Sequence, residues 1–355
     1  MSAFLKHEPK FSTHRAEIYC RASQLQLAEN RELLTYPLMQ QYARPARSSE
    51  SIRLRMHCQV INSAGLYKLA QTLEKMGSSL TLIFNPNSLQ LVKWEAQAGG
   101  MQVWATLSQG ALFSSFRITS SYVGSEIPFD LRLEDLVQAM KSAQEFSNIS
   151  LKLIKKQNPS DTRLQPYLEF IMGNDNRQAN DVLLTFELPV RIIPPAARSS
   201  IREPTDSRMP EVAIMLPNLL SLRTDINLLK SQSRYITLSA NMAGEFRWRV
   251  DTELLTMEKQ YTHLDNPAVA DGPGILDQYP DRSPQSFASA RILMEDFVNF
   301  LNCYHLSPSD VICAIHDQHH ITLHVSVDFE MFQDHPSNYR HDPTMIMYYV
   351  PAHEE

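Results

Sequence analysis

This chain of 355 residues has no stretch approaching the ~20 consecutive apolar residues that cross a bilayer as a helix. Lys6, His7 and Glu8 stand where a secretory signal needs an apolar core, so secretion is not expected. Cysteine is sparse: Cys20, Cys58, Cys303 and Cys313 are scattered, with no Cys-x-x-Cys pair. Dispersed free thiols fit a reducing compartment, cytosol or nucleus. There is no Gly-x-Ser-x-Gly elbow, no His-Glu-x-x-His and no kinase signature. Gly272-Pro273-Gly274 lacks the Lys-Ser/Thr and the following helix of a phosphate cradle. A surplus of positive charge is also missing: 33 basic against 39 acidic residues gives 33 − 39 = −6. Such a chain does not bind nucleic acid with its whole surface, but a local basic patch on an acidic body can.

What is present is a unit that recurs four times: a short strand, a helix of about three turns, then a run of strands. The first pass covers Arg53–Val60, the helix Ala64–Met76, and strands Leu80–Phe84, Leu89–Trp94 and Met101–Leu107. The second covers Ile127–Leu131, the helix Leu133–Phe146, and strands Ser150–Lys155, Leu164–Met172 and Val182–Val190. The third covers Val212–Leu216, the helix Leu219–Lys230, and strands Tyr235–Asn241, Glu245–Val250 and Leu254–Tyr261. The fourth covers Ser289–Leu293, the helix Met294–Tyr304, and strands Val311–His316, Thr322–Val327 and Met345–Val350.

Each helix carries one apolar stripe at the 3.6-residue period. The stripes are Leu66, Leu69, Ala70, Leu73; Leu133, Leu136, Val137, Met140; Leu219, Leu222, Ile226, Leu229; and Met294, Phe297, Val298, Leu301. Lys68 and Lys75 lie seven apart on the polar side of helix one, and Arg223 and Lys230 repeat that spacing on helix three. Helix two offers Gln138 and Lys141, whereas helix four has no Lys or Arg. A solvated helix face explains any one such pair. The matched spacing adds a second meaning, because cations aimed at one surface follow a phosphate backbone without reading bases.

Residues 1–51 precede the repeat, with a possible helix over Ala22–Gln41, and read as an appended, partly disordered extension. Residues 52–190 form a first domain and 212–355 a second. Arg191–Glu211 holds Pro194, Pro195, Pro204 and Pro210 and reads as the connector between them. The loops Asn266–Gln285 and Phe329–Asp342 interrupt the second domain. His316, His319, His320 and His324 gather near Asp317, a set that suggests metal. Their spacing instead fits a polar hairpin tip, His316 ending one strand and His320 beginning the next. The acidic pairs Glu134–Asp135 and Glu295–Asp296 open helices, where they complement the dipole. Trp94, Trp104 and Trp248 fall in strands as core residues. Nothing here assigns a catalytic, cofactor-binding or metal-binding residue, and a non-enzyme is expected.

Several stretches together resemble the Hus-type subunit of the eukaryotic DNA-damage checkpoint clamp (the nine-one-one heterotrimer), a relative of PCNA. They are Met101-Gln102-Val103-Trp104 followed by Leu112-Phe113-Ser114-Ser115-Phe116, Leu136 to Gln144 on helix two, and Leu188-Pro189-Val190-Arg191-Ile192-Ile193-Pro194. The second half adds Pro210-Glu211-Val212, Leu216-Pro217, Asn241 to Gly244-Glu245, Thr252-Glu253-Leu254, Leu264-Asp265-Asn266-Pro267 and the ending Tyr348-Tyr349-Val350-Pro351-Ala352.

The resemblance implies an α+β fold, the PCNA-like DNA clamp, with two similar domains, helices lining one side and sheets outside. It implies a heterotrimer with two other PCNA-like subunits, placed around duplex DNA by a clamp loader. The loaded ring, in the nucleus or in nucleus and cytoplasm, recruits kinase activators and repair enzymes; it needs no cofactor. By position, the DNA-facing residues become Lys68, Lys75, Lys141, Arg223 and Lys230. Three other readings stay open: a homotrimeric processivity clamp, an adaptor that never encircles DNA, and a metal enzyme using His316–His324. The long loops and the extension depart from the family pattern. The Pro- and Arg-rich connector does not carry over PCNA's peptide groove.

Overall fold

The computed structural model describes residues 54–94, 100–157, 164–174, 183–205, 208–267, 279, 281–332 and 344–354. The possible helix Ala22–Gln41, the Gly272-Pro273-Gly274 stretch and most of the two long loops lie outside the described residues.

All four passes are observed. The first is β1 (Leu54–Val60), α1 (Ser63–Glu74), β2 (Ser79–Asn85), β3 (Ser88–Lys93), β4 (Gln102–Ser108) and β5 (Phe113–Ser120). The second is β6 (Ile127–Arg132), α2 (Leu133–Ala143), β7 (Asn148–Gln157), β8 (Leu164–Gly173) and β9 (Leu184–Ile192). The third is β10 (Val212–Met215), α3 (Leu219–Leu229), β11 (Tyr235–Ala240), β12 (Phe246–Asp251) and β13 (Thr256–Tyr261). The fourth is β14 (Ala288–Leu293), α4 (Met294–Leu301), β15 (Asp310–His316), β16 (His320–Val327) and β17 (Thr344–Pro351).

Two expectations change. Helix four ends at Leu301 and continues as a tighter 3₁₀ turn over Asn302–Leu306, closed by Ser307 in the left-handed region. β5 is an additional strand paired with β1. Its apolar residues Phe113 and Phe116 are three apart, which breaks the alternation that marks a strand. The register supplies the reason: Gln59 faces Ser115 and Val60 faces Phe113, so Ser114 is an extra bulged residue. The bulge returns both rings to one side, with centroids 5.1 Å apart.

Among the described residues, the strands form a 13-stranded sheet and a 4-stranded sheet. β17 pairs antiparallel with β4, Tyr348 opposite Val103, and so sews the second half of the chain to the first. The helix stripes and the inward sheet residues share one core, which includes Leu69, Leu136, Leu222, Phe297 and Tyr348. The segment after β9 is fastened to the sheet: Ile193 and Ile201 are buried with Ile83, Val92 and Trp104. Arg198 pairs with Glu126 at 2.9 Å, and the Tyr122 hydroxyl donates to the Ile193 carbonyl at 2.7 Å.

The family-like residues of the second half build one structural knot. Asn241 Oδ1 accepts the N–H groups of Ala243 and Glu245, holding a tight turn that needs Gly244 at φ +82°. The backbone of Leu264 presses on Gly244 so closely that a Cβ there would meet its carbonyl at 2.5 Å. Asn266 Nδ2 then donates to the Ala213 carbonyl at 2.7 Å, and the Met215 N–H reaches the Asp265 carbonyl at 2.8 Å. These bonds cover the outer edge of β10 with the protein's own chain.

Candidate nucleic-acid interface

The four helices lie in one row. α2 packs on α1, α1 on the Asn302–Leu306 turn that extends α4, and α4 on α3. Their starts alternate in chemistry. Asn62 caps α1 by accepting the Gly65 N–H at 2.8 Å, and Asn218 caps α3 by accepting the Ser221 N–H at 3.1 Å. α2 and α4 have no side-chain cap; the acidic pairs Glu134–Asp135 and Glu295–Asp296 fill their first turns instead.

The five anticipated cations divide into two groups. Lys75 and Lys230 are the C-cap residues of α1 and α3, and Lys141 sits in the last turn of α2; all three are exposed. A helix C-terminus favours a cation by itself, so the dipole accounts for these three without a ligand. Lys68 and Arg223 are mid-helix, where no dipole end explains them, and both are half-buried.

Each of these two rests on an aromatic ring, in two different 3₁₀ turns of the second half. Arg223 lies over the Tyr304 ring at 4.6 Å, and its Nη1 donates to the Tyr304 hydroxyl at 3.5 Å. Lys68 Nζ lies 4.0 Å from the centroid of the Phe332 ring. The exposed His305 ring sits 3.9 Å from Tyr304. Partial burial, followed by the charges of Arg223 and Lys68, holds this imidazole below its ordinary pKa. Tyr304, His305 and Phe332 escape a search for Lys and Arg. The signal for them was an aromatic–imidazole pair just past an acidic helix face.

The histidine hairpin has the anticipated form: β15 ends at His316, β16 begins at His320, and the two rings stack at 4.0 Å. Asp317 serves the fold, its carboxylate accepting the Ser289 N–H at 2.6 Å. Among the described residues, no three His, Cys, Asp or Glu side chains converge as a metal site requires. Burial pushes the Cys58 thiol up to about 12, and raises Cys303 and Cys313 as well, so none is a thiolate at neutral pH. Trp104 and Trp248 are buried in the sheets, and Trp94 follows β3 half-buried against the cluster of Ile193 and Ile201. No described helix is long and apolar enough to cross a membrane.

Similarity to known proteins follows the same outline. Checkpoint protein HUS1 of Homo sapiens is 25% identical over 287 residues, which is 80% of this chain and 93% of that protein. Checkpoint protein hus1 of Schizosaccharomyces pombe is 27% identical over 278 residues, 77% and 93% of the two chains. The proliferating cellular nuclear antigen of Entamoeba histolytica superposes with a TM-score of 0.59 at 9% identity, covering 84% of this chain and 99% of that one. The PCNA of Thermococcus kodakaraensis gives 0.55 at 16% identity, covering 83% and 99%. The fold is therefore PCNA-like. With the Hus1-like protein family matched across residues 53–354, the chain belongs to that family.

Proposed function

We propose that this chain is the non-catalytic Hus-type subunit of a heterotrimeric checkpoint sliding clamp that joins two related PCNA-like subunits around duplex DNA. Residues 52–190 and 212–355 are its clamp domains, 191–211 its connector and 1–51 an extension. The observation that carries the reading is a single row of helices backed by sheets that keep open edges for neighbours.

Among the described residues, β13 pairs only with β12, and Leu184–Pro189 of β9 pair only with β8. Exposed apolar side chains lie at both of these edges. Leu254 is 98% exposed in the turn before β13, and Leu183 is 68% exposed at the start of β9. On α3, Asp225 accepts from Lys259 at 2.6 Å and from Tyr261 at 2.9 Å, which holds that helix against β13. Leu228, 73% exposed, sits three residues beyond Asp225 on the same helix. Two unlike open edges make a head-to-tail contact, the geometry that closes a ring.

The helix row then faces the bore. Lys68, Lys75, Lys141, Arg223 and Lys230 make sequence-independent phosphate contacts that support sliding. The acidic face of α4 leaves part of the bore for partner subunits to supply. A clamp loader places the ring, and the loaded ring recruits kinase activators and repair enzymes in the nucleus. Reversing all five cations to Glu in the assembled ring tests this: retention on DNA falls while assembly is unchanged. Full retention by the reversed ring would sink the DNA-facing assignment.

A further inference from the structure

The seam between the two halves of the chain holds a pattern that surface cations on a helix do not need. Two mid-helix cations from opposite halves, Lys68 and Arg223, each rest on an aromatic ring, Phe332 and Tyr304. Both rings belong to the second half, yet Phe332 lies under a cation of the first. Its position has a cause. Asn62, which caps α1, donates from Nδ2 to the Phe329 carbonyl at 2.7 Å and so pins the Phe329–Phe332 turn on the start of α1. Gly65 makes room, since a Cβ there would meet the Phe329 ring at 2.7 Å. His305 then stands beside Tyr304, near enough to both cations to feel their charges.

A free lysine or arginine loses rotamer entropy when it grips a phosphate. An aromatic shelf removes part of that loss in advance. The ring holds one side of the cation, and the other side stays open to an anion. Shelving two cations from different halves also makes the contact depend on the seam being closed.

We propose that Lys68, Arg223 and His305, shelved by Phe332 and Tyr304, form one phosphodiester-binding cluster across the seam, and that this cluster is the principal DNA grip of the subunit. The inference rests on the clamp reading above and deepens it. Tyr304 and Phe332 are positioning residues, acting through the cations. Lys75, Lys141 and Lys230 are subsidiary, with helix termini as their first role.

The test uses the ring assembled with both partner subunits and loaded on a circular duplex. Four variants are compared: Tyr304→Leu with Phe332→Leu, Tyr304→Phe with Phe332→Tyr, Lys68→Ala with Arg223→Ala, and Lys75→Ala with Lys230→Ala. Losing the two shelves should shorten residence on DNA roughly tenfold. Swapping one aromatic for the other should restore residence. Removing the seam cations should lower the salt slope by about 0.9 per contact, and by more than removal of Lys75 and Lys230 does.

If the leucine pair leaves residence unchanged while the seam-cation pair shortens it, the shelves have no role and the inference falls, with the clamp reading intact. If no cation variant alters residence, the DNA-facing reading itself falls. If the leucine pair fails to assemble, the two alanine pairs decide: equal losses, or a larger loss at Lys75 and Lys230, overturn the inference.

Discussion

Asn62 and Phe329 stand 267 residues apart and share a hydrogen bond of 2.7 Å. The same asparagine accepts the Gly65 N–H at 2.8 Å and is 1% exposed. One side chain thus starts α1 and fastens a distant turn to it. The two halves of the chain meet there and along the β4–β17 ladder.

Replacing Asn62 by Ala should therefore cost more than the loss of a cap. It removes the cap bond and also leaves buried backbone groups without their partner, for an expected loss of about 2–3 kcal/mol. Asn218→Ala removes the equivalent cap at an exposed site, and about 1 kcal/mol is expected. Chemical denaturation of the two variants measures both. Equal losses would show that the Phe329 bond contributes nothing.

Gly244 offers a second check on stability. Alanine there must hold a positive φ and push its Cβ into the Leu264 carbonyl. A loss of about 2 kcal/mol or more is expected in the same assay. An unchanged midpoint would mean that the knot joining Asn241, Gly244 and Leu264 relaxes freely.

The open edge of β13 should matter to assembly and not to folding. Leu255→Lys with Met257→Lys places charge on exposed positions, so thermal stability should change by less than about 0.5 kcal/mol. Affinity for one partner subunit should fall at least tenfold, while affinity for the other is unchanged. Titration of each partner against the variant reads this out. Equal loss toward both would contradict the assignment of separate edges.

His324 makes stability depend on acid. Burial, with the nearby His316 second, depresses its pKa from 6.5 to about 4. The folded state therefore refuses a proton that the unfolded chain accepts between these values. Stability from this site is full above pH 6.5 and is lost as pH falls toward about 4, up to ~3 kcal/mol. His324→Gln should flatten that limb of a stability–pH curve. A curve as steep as that of the unaltered protein would assign the acid sensitivity elsewhere.

Most of the architecture was legible because it repeats. Apolar stripes at Leu66–Leu73 and Leu219–Leu229 follow one period, and the β15–β16 hairpin turns where Asp317 and Gln318 interrupt the apolar alternation. β5 was hidden because its bulge at Ser114 destroys that alternation. The end of helix four was hidden because a 3₁₀ turn keeps Cys303 and Leu306 buried much as another helical turn would. The cations were legible as spacing, but their grouping was not. Spacing cannot show that Lys75 and Lys230 sit at helix ends, nor that Lys68 and Arg223 each rest on an aromatic ring. The Lys68–Phe332 contact depends on Asn62 reaching Phe329, a bond between residues far apart in sequence.

As one subunit of a three-subunit ring, this chain closes no ring of its own. The direct measurement is its mass in solution by light scattering, alone and co-expressed with the two other checkpoint-clamp subunits. The expected result is a monomer alone and a one-to-one-to-one trimer in company. A stable homotrimer of this chain alone, or no association in either setting, would contradict the account.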